Sequence, residues 1–202
     1  MRSKTWNKEH ADDLFVKRAH KEGWRSRAVY KLEELDKKYN LIQQGMNIVD
    51  LGAAPGGWSQ YVAKKVGKTG NIIAIDVLDM DAINNVNFLK GDFTEQEIYE
   101  SLSERVGQKP IDLVLSDMAP NISGISSVDQ PKAMYLAELA AEFGIEVLAP
   151  EGGLIVKLFQ GAGFDDYVKM LRSKFSKVLI RKPEASRPRS REMYALATHI
   201  KL

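Results

Sequence analysis

The chain has 202 residues, 44% of them apolar and 28% charged, with a formal net charge of +2. That composition excludes a fibrous or low-complexity chain and suits one medium α/β domain. Cysteine is absent, which excludes disulfides, thiolate nucleophiles and zinc–thiolate sites, and no apolar run approaches the roughly 20 residues of a membrane span.

The first residues, Met1 to Lys8, are polar and lack the apolar core of a signal peptide. A cytoplasmic location is expected. Asn7 to Glu22 reads as a helix, and so does Ser26 to Lys38, where Val29, Leu32 and Leu35 repeat at helical spacing. Residues 1–38 are thus expected to form a basic helical extension packed on a single domain spanning 1–202. Met46 to Leu51 reads as the first strand, followed by a helix over Ser59 to Val66. Asn71 to Asp76 is a buried parallel strand, and Asn87 to Leu89 a weaker third. Thr94 to Val106 is a helix with Thr94 as its cap, and Ile111 to Ser116 is the fourth strand. Gln130 to Leu148 is the plainest helix, with Glu138, Glu142 and Glu146 on its wet face. Leu154 to Phe159 is a fifth strand and Phe164 to Phe175 a helix. Lys177 to Arg181 and Met193 to His199 close the chain as a hairpin. The alternation predicts a doubly wound, mostly parallel seven-stranded α/β sheet with one antiparallel strand and helices on both faces.

In such a sheet, ligands bind at the carboxyl ends of the strands. Several polar residues fall there: Asp50 and Gly52, Asp76, Asp92, Asp117, and Lys157 inside the end of the fifth strand. The run Asp50-Leu51-Gly52-Ala53-Ala54-Pro55-Gly56-Gly57-Trp58 joins a strand to a helix, as a nucleotide-binding turn does. Ala54 stands where a dinucleotide motif has its middle glycine, which weighs against NAD. Asp76 suits ribose hydroxyls and Asp92 an exocyclic adenine amine, so S-adenosylmethionine (AdoMet), which has no pyrophosphate, is the expected cofactor. Each aspartate alone reads as a cap or turn residue.

The small net charge hides an asymmetry. Residues 1–38 carry net +4, residues 39–168 net −10 and residues 169–191 net +8. If the fold brings the two basic ends together, one face attracts a polyanion, and nucleic acid is the expected partner. Lys17, Arg18, Lys21, Arg25 and Arg27 are candidates for one wall of a phosphate-binding surface. Arg181, Lys182, Arg187, Arg189 and Arg191 are candidates for the other. Trp6, Trp24, Tyr30 and Tyr194 are candidate stacking platforms for a base. His10, His20 and His199 are scattered, and no His/Asp/Glu cluster has metal-ligand spacing. No exposed apolar segment calls for a second copy, so a monomer is expected.

The loop from Asp50 to Gln60 resembles that of the FtsJ/RrmJ-type ribose 2'-O-methyltransferases. So do Ser116-Asp117-Met118-Ala119-Pro120-Asn121, Val156-Lys157-Leu158-Phe159-Gln160-Gly161 and Arg187 to Glu192, in family order. The resemblance spans about Trp24 to Ala197. It implies a Rossmann-like AdoMet-dependent methyltransferase fold and a catalytic tetrad of Lys31, Asp117, Lys157 and Glu192. For the cofactor it implies Gly56, Trp58, Asp76, Asp92 and Asp117. It further implies transfer to a ribose 2'-hydroxyl of RNA, most closely a uridine of 23S rRNA in the large ribosomal subunit, without a metal. On the residues alone, Lys31 reads as a solvated helix lysine and Glu192 as a surface partner of the neighbouring arginines. Lys157 is the expected base, because it is the only lysine in an apolar strand end. A free lysine is protonated at neutral pH, so that role requires burial or a nearby like charge, which Lys31 would supply.

Overall fold

The computed structural model describes residues 13–201. Trp6, His10 and the start of the first expected helix lie outside them. The elements run α1 (Leu14–Glu22), α2 (Val29–Tyr39), β1 (Asn47–Leu51), α3 (Gly57–Val66), β2 (Asn71–Asp76), β3 (Val86–Lys90) and α4 (Gln96–Val106). They continue with β4 (Ile111–Ser116), α5 (Ser126–Val147), β5 (Leu148–Phe159), α6 (Phe164–Lys174), β6 (Phe175–Arg181) and β7 (Glu192–Ile200). The strands form one seven-stranded sheet in the order β3-β2-β1-β4-β5-β7-β6. Only β7 runs antiparallel to its neighbours, as the closing hairpin required.

Strand side chains alternate between two cores. Val49, Ile73, Val114 and Leu154 pack with Leu102, Phe143 and Leu171 of α4, α5 and α6. Ile48, Ile72, Leu113 and Ile155 pack with Leu32, Leu35 and Val62 of α2 and α3 on the other face. Within α2, Val29, Leu32 and Leu35 are almost wholly buried. Burial at roughly 1.5–3 kcal/mol per large aliphatic side chain holds this helix on the sheet, and with it the position of Lys31.

Several helix starts differ from expectation, and at two of them an aspartate decides the boundary. Thr94 is not a cap. Its N–H and hydroxyl both donate to Asp92 Oδ1, at 2.9 and 2.8 Å, so the aspartate builds the turn and α4 begins at Gln96. Helix α5 begins at Ser126 rather than Gln130. The Asp129 carboxylate accepts from Ser123 N (2.9 Å) and Gly124 N (2.9 Å), tying the preceding loop to an extra turn ahead of Pro131.

Candidate active site

Because β7 is antiparallel, its first residue, Glu192, stands at the carboxyl edge of the parallel strands, opposite Phe159 of β5. Lys157 pairs with Tyr194 in the same register. Period-2 alternation therefore sends Lys157, Tyr194 and Glu192 to the sheet face covered by α2.

There they meet Lys31 and Asp117 in one connected network. Lys157 Nζ lies 3.1 Å from Asp117 Oδ1 and also donates to the Asp117 main-chain carbonyl. The Tyr194 hydroxyl donates to the same Asp117 Oδ1 at 2.6 Å. That hydroxyl accepts from Lys31 Nζ at 3.3 Å, and Lys31 pairs with Glu192 Oε1 at 2.7 Å. The side chains of Lys157, Asp117, Lys31 and Glu192 are only 8%, 19%, 12% and 11% exposed. The solvated reading of Lys31 and the surface reading of Glu192 are thereby corrected. Burial pushes the Asp117 carboxyl up, but the Lys157 and Lys31 ammoniums and the Tyr194 hydroxyl outweigh it. Asp117 is held below the usual carboxylate range. Burial, then the Asp117 and Glu192 carboxylates, holds the Tyr194 hydroxyl well above its ordinary value, so it serves as a donor.

Tyr194 is the member that sequence reasoning missed, having cast it as a stacking platform. It is fully buried, its ring 5.8 Å from that of Trp58, and no base can reach it. The available signal was its place two residues beyond Glu192 on a strand, hence on the same face. Tyr30 is likewise buried, with its hydroxyl on Glu22. Trp24 packs against Tyr61, with Lys64 over its ring.

Beside this network lies the glycine loop. Gly52 N and Ala53 N donate to Ile75 O, and Ala54 N donates to Asp76 Oδ2 at 2.9 Å, pinning the loop to the end of β2. Asp76 Oδ1 accepts from Leu78 N at 2.8 Å. Each Asp76 oxygen thus spends one lone pair on the backbone and keeps one for a hydroxyl. Gly56 has φ +103°, and a Cβ there would meet Ile83 Cδ1 and Met80 Sδ at 2.9 Å, so a side chain would crowd the loop. No side chain caps the start of α3, and its first N–H groups suit a carboxylate. Val77 and Leu78 leave exposed apolar surface next to Asp76. Hydroxyl acceptors, an anion-ready helix start and an apolar patch together fit AdoMet. Trp58 is buried, and its indole N–H donates to Ala28 O at 2.8 Å. Its side chain thus braces the start of α2.

Part of the expected basic wall is already engaged. Arg25 donates to Asp81 O at 2.6 Å and Ala82 O at 2.9 Å, bracing the loop after β2. Arg181 is held by Tyr39, and Lys182 by the carbonyls of Pro188 and Ser190. Arg27, Arg187 and Arg189 do come together, with Ala28, Lys31, Ser190 and Glu192, around a cleft of about 490 Å³. The sheet thus joins the two basic ends of the chain beside the network.

The model of the FtsJ-like methyltransferases matches residues 24–200. The chain belongs to this family. Its methyl donor is S-adenosylmethionine. The chain is 55% identical over 195 residues to ribosomal RNA large subunit methyltransferase E of Legionella pneumophila strain Corby, covering 96% of this chain and 95% of that one. A crystal structure described as that of a ribosomal RNA methyltransferase from Plasmodium falciparum is 31% identical. It superposes with a TM-score of 0.77 over 88% of this chain and 98% of the other. Human methyltransferase-like protein 13, solved in complex with SAH, shares the fold at a TM-score of 0.60 and 16% identity, over 85% of this chain and 79% of its own. Among the described residues of this FtsJ-like methyltransferase, no helix is long and apolar enough to cross a membrane.

Proposed function

We propose that this methyltransferase modifies a ribose 2'-hydroxyl of RNA, at a uridine of 23S rRNA in the large ribosomal subunit, acting as a cytoplasmic monomer. The observation that carries the reading is the shielded Lys157–Asp117 pair, linked through Tyr194 to Lys31 and Glu192 beside the glycine loop. The Legionella relative's name supports ribosomal RNA as the substrate.

AdoMet supplies a methyl group already activated on a sulfonium. The protein's part is to aim the ribose oxygen and take its proton, and alignment alone contributes several kcal/mol. Gly56, the backbone N–H of Trp58, Asp76 and Asp92 hold the cofactor, with Asp117 at the boundary of the two sites. Lys157 is the general base. Asp117 lies ionised beside it, and Lys157 enters the step as the neutral amine that a base requires. It then takes the hydroxyl proton as the new O–C bond forms and the S–C bond breaks. Asp117 orients the amine and stabilises the ammonium produced. Lys31, steadied by Glu192 and Tyr194, attracts the developing negative charge on oxygen.

Tritiated-methyl transfer to unmethylated large subunits, free rRNA and tRNA, followed by mapping of the modified nucleotide, tests this. Label on a large-subunit ribose is expected. Label confined to tRNA would replace the substrate, and tight RNA binding with no transfer would replace the reading with a ribosome-assembly role.

A further inference from the structure

We propose that the cleft beside Lys31 and Glu192 seats a backbone phosphate of RNA next to the target ribose, and that Asp13 holds that phosphate's place in the free protein. The inference rests on RNA being the substrate.

The cleft opens on the Lys31–Glu192 pair and gathers Arg27, Arg187 and Arg189 from opposite ends of the chain. Lys31 is already paired with Glu192. Arg27 and Arg187 share a different acid. Asp13 Oδ2 lies 2.6 Å from Arg27 Nη1 and 3.7 Å from Arg187 Nε. One oxyanion oxygen between two guanidiniums is the arrangement a phosphodiester oxygen adopts. The fit of Asp13 is incomplete, because Arg27 Nε is buried without a hydrogen-bond partner, a state that costs free energy in a charged donor.

Exchange need not unravel the N-terminal helix. Asp13 caps α1 with its other oxygen, Oδ1, which accepts from Phe15 N at 3.0 Å. Helix α1 is anchored separately by Phe15, whose ring lies 5.6 Å from that of Tyr30, and by Arg18, 4.2 Å above the Tyr30 ring. An arriving phosphate can therefore compete with Asp13 for the guanidiniums while the packing of α1 on Tyr30 persists.

The same division makes the test selective. Asn and Ser cap a helix about as well as Asp, so Asp13→Asn and Asp13→Ser keep the cap and delete the charge. With unmethylated large subunits as substrate, both variants should lower KM for RNA by about 3- to 10-fold and leave the Kd for AdoMet unchanged. Arg27→Gln should raise KM, and Asp13→Asn added to it should give little further tightening. An unchanged or raised KM in both Asp13 variants, or equal tightening in the Arg27→Gln background, would overturn the proposal while methyl transfer by the parent protein upheld the function. If the parent protein transferred no methyl to any RNA, the functional reading would fail first and take this inference with it.

Discussion

The carboxyl edge of the sheet has two halves, and two aspartates show how they differ. Asp50, in β1 on the cofactor side, is completely buried and accepts from Ser59 Oγ at 2.6 Å. Burial pushes its carboxyl up to about 7, against the Ser59 hydrogen bond and with help from the Asp117 and Asp76 charges. Asp117, after β4 on the reaction side, faces two ammoniums and a phenol and is held low. The same residue type at the same kind of strand end takes opposite directions. Charged partners brought from elsewhere in the chain decide which.

Removing the cation breaks the contrast most severely. Lys157→Ala should lower kcat by about 10²–10⁴-fold, with AdoMet affinity within about twofold of the parent in calorimetry. Near-parental turnover would remove Lys157 from the mechanism.

The opposite half is tested by pH. The folded value of Asp50 lies about 3 units above that of an unfolded aspartate. The native state therefore keeps a proton that the unfolded chain releases above about pH 4. The stabilisation is full below that pH and is lost as pH rises through about 7, by at most about 4 kcal/mol. Asp50→Asn has no such titration, so its Tm should gain on the parent's between pH 5 and pH 8. Parallel curves would show that Asp50 does not carry the linkage.

Gly52→Ala strikes the seam between the halves. Gly52 has φ +77°, and a Cβ there would lie 2.8 Å from Met118 Cγ and 3.0 Å from Met118 Cα. A loss of about 2–3 kcal/mol in stability is expected from backbone strain and overpacking, with AdoMet Kd raised about tenfold. Unchanged melting and binding would mean that the loop is free to relax.

Tyr194→Phe is the mildest change. Losing one hydroxyl should lower kcat by about 5- to 10-fold and spare AdoMet binding. Asp117 then lacks a donor that keeps it ionised, so the acid limb of the activity profile should move to higher pH. A fixed limb would confine Tyr194 to packing.

The strand–helix order, the antiparallel closing strand and the loop from Asp50 to Trp58 were legible because their signals are local. Periodicity and turn chemistry act over a few residues. Asp76 bonds the loop 22 residues earlier, across adjacent strands, and Asp92 bonds Thr94 two residues on. On the reaction side Asp117 and Lys157 were legible as strand-end residues, but the roles of Lys31 and Glu192 only through resemblance. Lys31 looks solvated in its helix until Glu192 and Tyr194 arrive from the far end of the chain, 163 residues away in the case of Tyr194. Arg25, read as a phosphate ligand, is committed to backbone carbonyls more than 50 residues distant. Which aspartate stays ionised, which lysine is shielded and which arginines face a cleft were decided by tertiary structure. A side chain's charge state depends on burial and on oppositely charged neighbours, and sequence order does not reveal neighbours that only folding brings together.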